Sequence, residues 1–99
     1  MRYAYPAILT PLNDERNTIL IEVPDLELLT EGFGKEDAIR MAQDAICLKC
    51  MSLNEKELEL PKPRNVSEID IAKGTFADDG KGHVLLVEVD IEEYKQKTK

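Results

Sequence analysis

Tryptophan is missing from this 99-residue chain, and histidine (one), cysteine (two) and aromatic residues of any kind (five) are scarce. With so few rings, a core of this size has to be mostly aliphatic. Two cysteines do not make a disulfide framework, so a reducing cytoplasm is the expected compartment. A single histidine, His83, leaves little for a catalytic triad or a histidine-ligated metal pair, and no cofactor or metal is expected. No apolar run approaches the roughly 20 residues of a membrane span. Residues 1–10 lack the basic start and unbroken apolar core of a signal peptide. Basic side chains are also short, 13 against 20 acidic, for a formal net charge of −7. The deficit runs through both halves, with 5 basic and 9 acidic residues in 1–50 and 8 and 11 in 51–99. That argues against a phosphate-binding surface and favours neutral or basic partners.

What is present reads as one domain. Hydrophobic residues make up 42% and charged residues 33%, a globular balance, and the length leaves no room for a second, cofactor-binding unit. Residues 1–10 predict a strand, and Pro6, with no N–H to donate, pushes that strand toward a sheet edge or a bulge. The polar run Asn13–Asn17 is turn chemistry, and Thr18–Val23 is the clearest strand, so a hairpin is the economical reading. Leu28–Gly32 predicts a short third strand. From Lys35 the period becomes 3.6: Ala38, Ile39, Ala42, Ala45, Ile46, Cys50 and Leu53 form one stripe, with Glu36 and Asp37 in the first turn where the helix dipole favours acid. Leu60-Pro61-Lys62-Pro63 is an extended connector. Ser67 is a candidate cap for a short helical turn through Lys73, closed by Gly74. His83–Asp90 is a last strand, apolar on both sides at first and therefore expected to be central, followed by a polar end. The fold class is α+β: an antiparallel sheet of three to four strands, one long helix packed on one face, and a short second helix.

The chemistry-bearing patterns are thin. Cys47-Leu48-Lys49-Cys50 matches CxxC, but it lies near a helix C-terminus, where the dipole disfavours a thiolate. The expected alternative is Cys50 in the core and Cys47 as a small side chain on the outer face. Ser52 and Ser67 lack the flanking glycines of a nucleophile elbow. Gly32-Phe33-Gly34 lacks phosphate-loop spacing and serves better as the turn into the helix. A two-metal nuclease would draw on Glu22, Glu88 and Asp90, against a solvated acidic face as the plainer reading. Met41, Cys47, Leu48 and Met51 spread over the far side of the helix, either as a contact surface or covered by Leu58–Pro63 folding back.

Taken in order, Tyr5-Pro6-Ala7-Ile8-Leu9, Ile21-Glu22-Val23-Pro24-Asp25-Leu26, Thr30-Glu31-Gly32, Lys35-Glu36-Asp37-Ala38, Leu60-Pro61-Lys62-Pro63 and Val84–Asp90 with Glu93-Tyr94 resemble the HicB-like antitoxin family. The resemblance covers residues 1–94; Val23 stands where an aromatic is commoner, and Glu27-Leu28-Leu29 replaces a glycine-containing turn. It implies a partial RNase-H-like domain over 1–94, without catalysis, that binds and masks a small basic HicA-type mRNA-cleaving toxin. It also implies a homo-oligomer, dimer or tetramer. Many members carry a C-terminal DNA-binding segment that would begin where this sequence ends, so direct DNA binding is not expected of the 99 residues, and 95–99 reads as a basic tail. The candidates for toxin contact are Glu22, Pro24 and Asp25, at the end of the second strand. Those for self-association are Met41, Leu48 and Met51. The alternatives are a degenerate RNase-H-type nuclease on Glu22, Glu88 and Asp90, and a stand-alone oligomerisation module.

Overall fold

The computed structural model describes residues 2–97. The expected strand start at Met1 and the tail residues Thr98 and Lys99 lie outside the described residues. Four strands, β1 (Arg2–Pro11), β2 (Thr18–Val23), β3 (Leu28–Phe33) and β4 (His83–Asp90), form one antiparallel sheet in the order β3-β2-β1-β4. The long helix α1 (Lys35–Glu55) packs on one face, and a short helix α2 (Ile91–Lys97) follows β4. The α+β class and the architecture expected from the sequence are those observed.

Local chemistry sets the hairpin. Asp14 Oδ1 accepts the Thr18 N–H at 2.8 Å, and Asn13 and Asn17 take left-handed backbone angles (φ 57° and 56°) that asparagine tolerates. At the far end of β3, Gly32 allows close approach: a Cβ there would lie 2.6 Å from Ala38 Cα, so the strand and the first turn of α1 touch backbone to backbone. The Asp37 carboxylate turns back to accept the Phe33 N–H at 2.9 Å. Asp37 also pairs with Arg40, and these two bonds, the backbone one first, hold its carboxyl below the usual range.

The core lies between sheet and helix. Tyr5, Ala7 and Leu9 from β1, Ile21 and Val23 from β2, and Val87 and Val89 from β4 meet Ala38, Ala42, Ile46, Cys47 and Cys50 of α1. These are alternate residues on each strand, as a half-buried sheet requires. The other face of the sheet is covered in part by the connector 56–82, which carries two 3-10 turns, Val66–Glu68 and Ile71–Lys73. Gly82 sits against Ile8 and Ile71 there, which is why Pro6, Ile8 and Thr10 are buried on a side with no helix.

Three expectations are corrected. β1 is an interior strand, paired with β2 over Ile8–Pro11 and with β4 over Arg2–Leu9. The Leu12 N–H donates to Thr18 O, so even-numbered β1 residues aim their backbone groups at β2. Pro6 therefore lacks its N–H beyond the last β2 pair at Ile8, and Pro11 lacks its own beyond the last β4 pair at Leu9. Neither proline costs a ladder bond. β4 is an edge strand rather than a central one: Val87 and Val89 face the core, while Leu86 on the other side is 45% exposed. Finally, the polar end is helical through Lys97, because Asp90 Oδ1 accepts the Glu92 N–H at 3.0 Å and the Glu93 N–H at 3.4 Å, and Ile91 is buried. The second α-helix is thus here, and Val66–Lys73 holds only 3-10 turns. Their first residues are set by Asn65, whose N–H donates to Glu68 Oε1, and by Asp70, which accepts from Ala72, not by Ser67.

Candidate interaction surfaces

The end of β2 is the most constructed part of the surface. Val23 is buried, and Pro24 opens a 3-10 turn, Pro24–Leu26, with its fixed φ at the first helical position. Leu26 anchors the turn in the core. Asp25 then points at the connector. Its Oδ2 accepts the Arg64 N–H at 2.8 Å and its Oδ1 accepts Arg64 Nε at 2.7 Å. Glu22, on the connector-covered face, accepts the Thr75 N–H at 2.8 Å and the Thr75 hydroxyl at 2.9 Å. Nearby the Tyr5 hydroxyl donates to Pro61 O at 2.6 Å. Burial is the main reason the Tyr5 phenol is pushed up to about 12, with smaller contributions from Cys50, Tyr3 and Asp25.

The structure places Glu22, Pro24 and Asp25 at the end of β2, and adds what the sequence did not show. Both carboxylates grip the connector, at residues 39 and 53 positions away in the chain. A shallow cleft of about 190 Å³ opens between β2 and the connector, lined by Glu22, Pro24, Arg64, Glu68, Asp70 and Lys73. Its polar rim is mixed in charge, with Arg64 and Lys73 among the acids. Arg64, Glu68 and Lys73 carry no sequence signal for this position, since only long-range folding delivers them.

The far side of α1 is less of a surface than its sequence implied. Met41 and Met51 are half-buried and pack against the core, leaving Leu48, at 56% exposure, as the large apolar side chain that stands out. Cys47 is a correction: it is buried beside Cys50, because α2 lies against that flank of α1 and closes it from solvent. Burial, reinforced by Cys50, Asp44 and Asp90, pushes the Cys47 thiol up to about 11, and burial also raises Cys50. Neither thiol has the character of a reactive thiolate. The connector does not fold back over Leu48. Its Leu58 is exposed, and Leu60 turns instead to the core near Tyr5.

The three carboxylates weighed for metal chemistry are not assembled. Glu22 lies opposite Ile8 and Glu88 opposite Ala4, on the two strands that flank β1. Four residues along a strand and two strand spacings put them roughly 16 Å apart, far beyond the ~4 Å of a two-ion site. Asp90 is engaged in capping α2. Among the described residues no group of three potential ligands is placed to hold an ion. His83 is exposed at the start of β4.

No protein-family model matches the chain, and no curated protein matches it. A solved structure does: a chain of a toxin–antitoxin complex from Streptococcus pneumoniae superposes with a TM-score of 0.81. The fold is shared. The match covers 95% of this chain and 73% of that one, at 24% sequence identity. The likeness therefore takes in the sheet and α1 together with the connector that Glu22 and Asp25 hold down. Among the described residues no helix is long and apolar enough to cross a membrane.

Proposed function

We propose that this chain is an antitoxin-type binding domain of the HicB-like kind, with no catalysis of its own, that masks a small basic HicA-type mRNA-cleaving toxin in the cytoplasm. The observation that carries the reading is the fold shared, over nearly the whole chain, with a component of a toxin–antitoxin complex. The charge of −7 supports it, because an acidic surface speeds encounter with a basic nuclease and raises its local concentration. The sheet with α1 across one face is read as a partial RNase-H-like arrangement. The domain is assigned to residues 1–94, with Tyr94 packed against the core and 95–99 as a basic extension.

Toxin contact is assigned to Glu22, Pro24 and Asp25 at the end of β2, where Glu22 and Pro24 line the cleft opposite the connector and Asp25 holds Arg64. Co-expression with a HicA-type toxin tests the proposal. Restored growth and co-purification of the two proteins are the expected results. Unabated toxicity with no co-purification overturns it.

A further inference from the structure

The connector buries other residues without being buried itself. None of residues 56–82 is buried, and Ile69, Ile71 and Phe76 are only half-covered. Beneath it, on the sheet face away from α1, Pro6 is fully enclosed, Ile8 is 5% exposed and Thr10 is 1% exposed. The fit depends on three glycines. A Cβ at Gly80 would lie 2.6 Å from Pro11 O and 3.1 Å from Thr10 Cγ2, one at Gly82 2.9 Å from Ile8 Cγ2, and one at Gly74 3.0 Å from Glu22 Oε1. None of the three has a positive φ, so what they supply is closeness rather than a special backbone angle. Polar bonds fasten the rest: the Tyr5 hydroxyl to Pro61 O, Asp25 to Arg64 and Glu22 to Thr75. None of these bonds involves α1. The core between sheet and helix takes only Leu60 from the connector. A segment with few apolar anchors, held at the surface by hydrogen bonds, opens at a lower free energy than the core does.

We infer that residues 61–82 form a strap that opens and closes as one unit over the folded sheet. Its ends are set where the chain is anchored: at Leu60, packed on the core, and at His83, where β4 begins to pair with β1. Shut, the strap completes the cleft that runs between Glu22 and Lys73. Open, it bares Pro6, Ile8 and Thr10 at the centre of the sheet's second face, while the core under α1 stays intact. The cleft belongs to the shut form alone, so a partner seated in it holds the strap down and shifts the balance toward closure. The opening itself is a property of the free chain and stands apart from the toxin reading.

Thiol labelling of the full chain, at reagent concentrations where the rate stays proportional to reagent, is the test. Thr10→Cys puts a thiol under the strap, and the native Cys50, fully buried between sheet and helix, reports opening of the core. The Thr10→Cys thiol is expected to react roughly a hundredfold faster than Cys50, yet well below the rate of an exposed thiol. Adding Gly80→Ala, whose methyl meets the Pro11 carbonyl, raises that rate about tenfold or more. Adding Ile46→Ala, in a core that stays shut when the strap opens, raises the Cys50 rate and leaves the Thr10→Cys rate unchanged. A Thr10→Cys thiol that reacts no faster than Cys50, or as fast as an exposed thiol, overturns the strap. So does a rate that follows Ile46→Ala, or one that ignores Gly80→Ala. If circular dichroism shows Thr10→Cys unfolded, hydrogen exchange on the wild-type chain decides instead. The amides of Arg64 and Thr75, held by Asp25 and Glu22, then exchange with matching protection and ahead of the amides in the middle of α1. Protection that differs between those two by more than about tenfold, or that equals the protection of α1, overturns the opening of one unit.

Discussion

Asp25 and Arg64 offer an asymmetry that can be measured. Asp25 is nearly enclosed, its side chain 8% exposed, while the Arg64 side chain is 47% exposed. Arg64→Ala removes one charge-assisted bond at 2.7 Å but leaves the backbone N–H of residue 64 donating to Asp25 Oδ2. An ion pair with one half-exposed member lies near the top of the surface range, so the loss is about 1 kcal/mol. Asp25→Ala removes both bonds, and loss of the second, from the Arg64 N–H, adds a further ~1 kcal/mol. The expected ranking is therefore Asp25→Ala above Arg64→Ala by about that increment, with the double variant close to Asp25→Ala alone. Urea unfolding followed by circular dichroism gives the three free energies. Hydrogen exchange gives the mechanism: the amide of residue 64 stays protected in Arg64→Ala and loses protection in Asp25→Ala. Equal destabilisation by the two single variants, or an amide that exchanges freely in the wild type, refutes the clamp.

Three further outcomes follow from the core. Tyr5→Phe costs ~1 kcal/mol at neutral pH through the lost bond to Pro61 O. Because the fold raises the Tyr5 phenol from 10.0 to about 12, its contribution is complete below pH 10 and is lost as pH rises toward 12, so wild-type stability falls more steeply than that of Tyr5→Phe across this window in melts recorded at stepped pH. Ile46→Ala, at a fully buried position under the sheet, costs ~2–5 kcal/mol in the same urea assay. Gly32→Ala forces β3 away from α1 by a contact at 2.6 Å and costs ~1–3 kcal/mol, whereas a neutral result would mean that the strand and helix are less closely joined than they are here.

The parts of this fold that sequence reveals are those written in local chemistry. The hairpin is legible because Asp14, Asn13 and Asn17 specify a turn between two apolar strands. The helix is legible because its apolar residues recur at 3.6. Strand order was not legible, since β1 and β4 are both apolar on two sides for different reasons: the second face of β1 is roofed by the connector, and that of β4 is left partly open. Pro6 misled because an edge strand and the overhanging end of an interior strand excuse a missing N–H equally well. α2 has only Ile91 and Tyr94 to mark its buried side, and its cap, Asp90, belongs to the preceding strand. At the candidate site, Glu22, Pro24 and Asp25 stood out as a group. Their partners Arg64 and Thr75 had no local signature, because the contacts span 39 and 53 residues.

Those partners change what the acids at the end of β2 are expected to do for a toxin. A carboxylate that already accepts two hydrogen bonds has little left for direct, shaped recognition, but its charge still acts at a distance. Glu22→Gln separates the two roles. The amide oxygen can still accept the Thr75 N–H, and the amide nitrogen can donate to the Thr75 hydroxyl, which accepts as readily as it donates. The connector therefore stays in place while one of the negative charges facing the cleft is removed. If the end of β2 meets a basic toxin, the association rate falls about two- to fivefold at low ionic strength, the loss shrinks as salt is added, and the dissociation rate and urea stability barely move. Stopped-flow association at several salt concentrations reads this directly. An unchanged association rate with an unchanged salt slope would place the toxin elsewhere on the acidic surface, and would leave Glu22 as a fastener of the connector and nothing more.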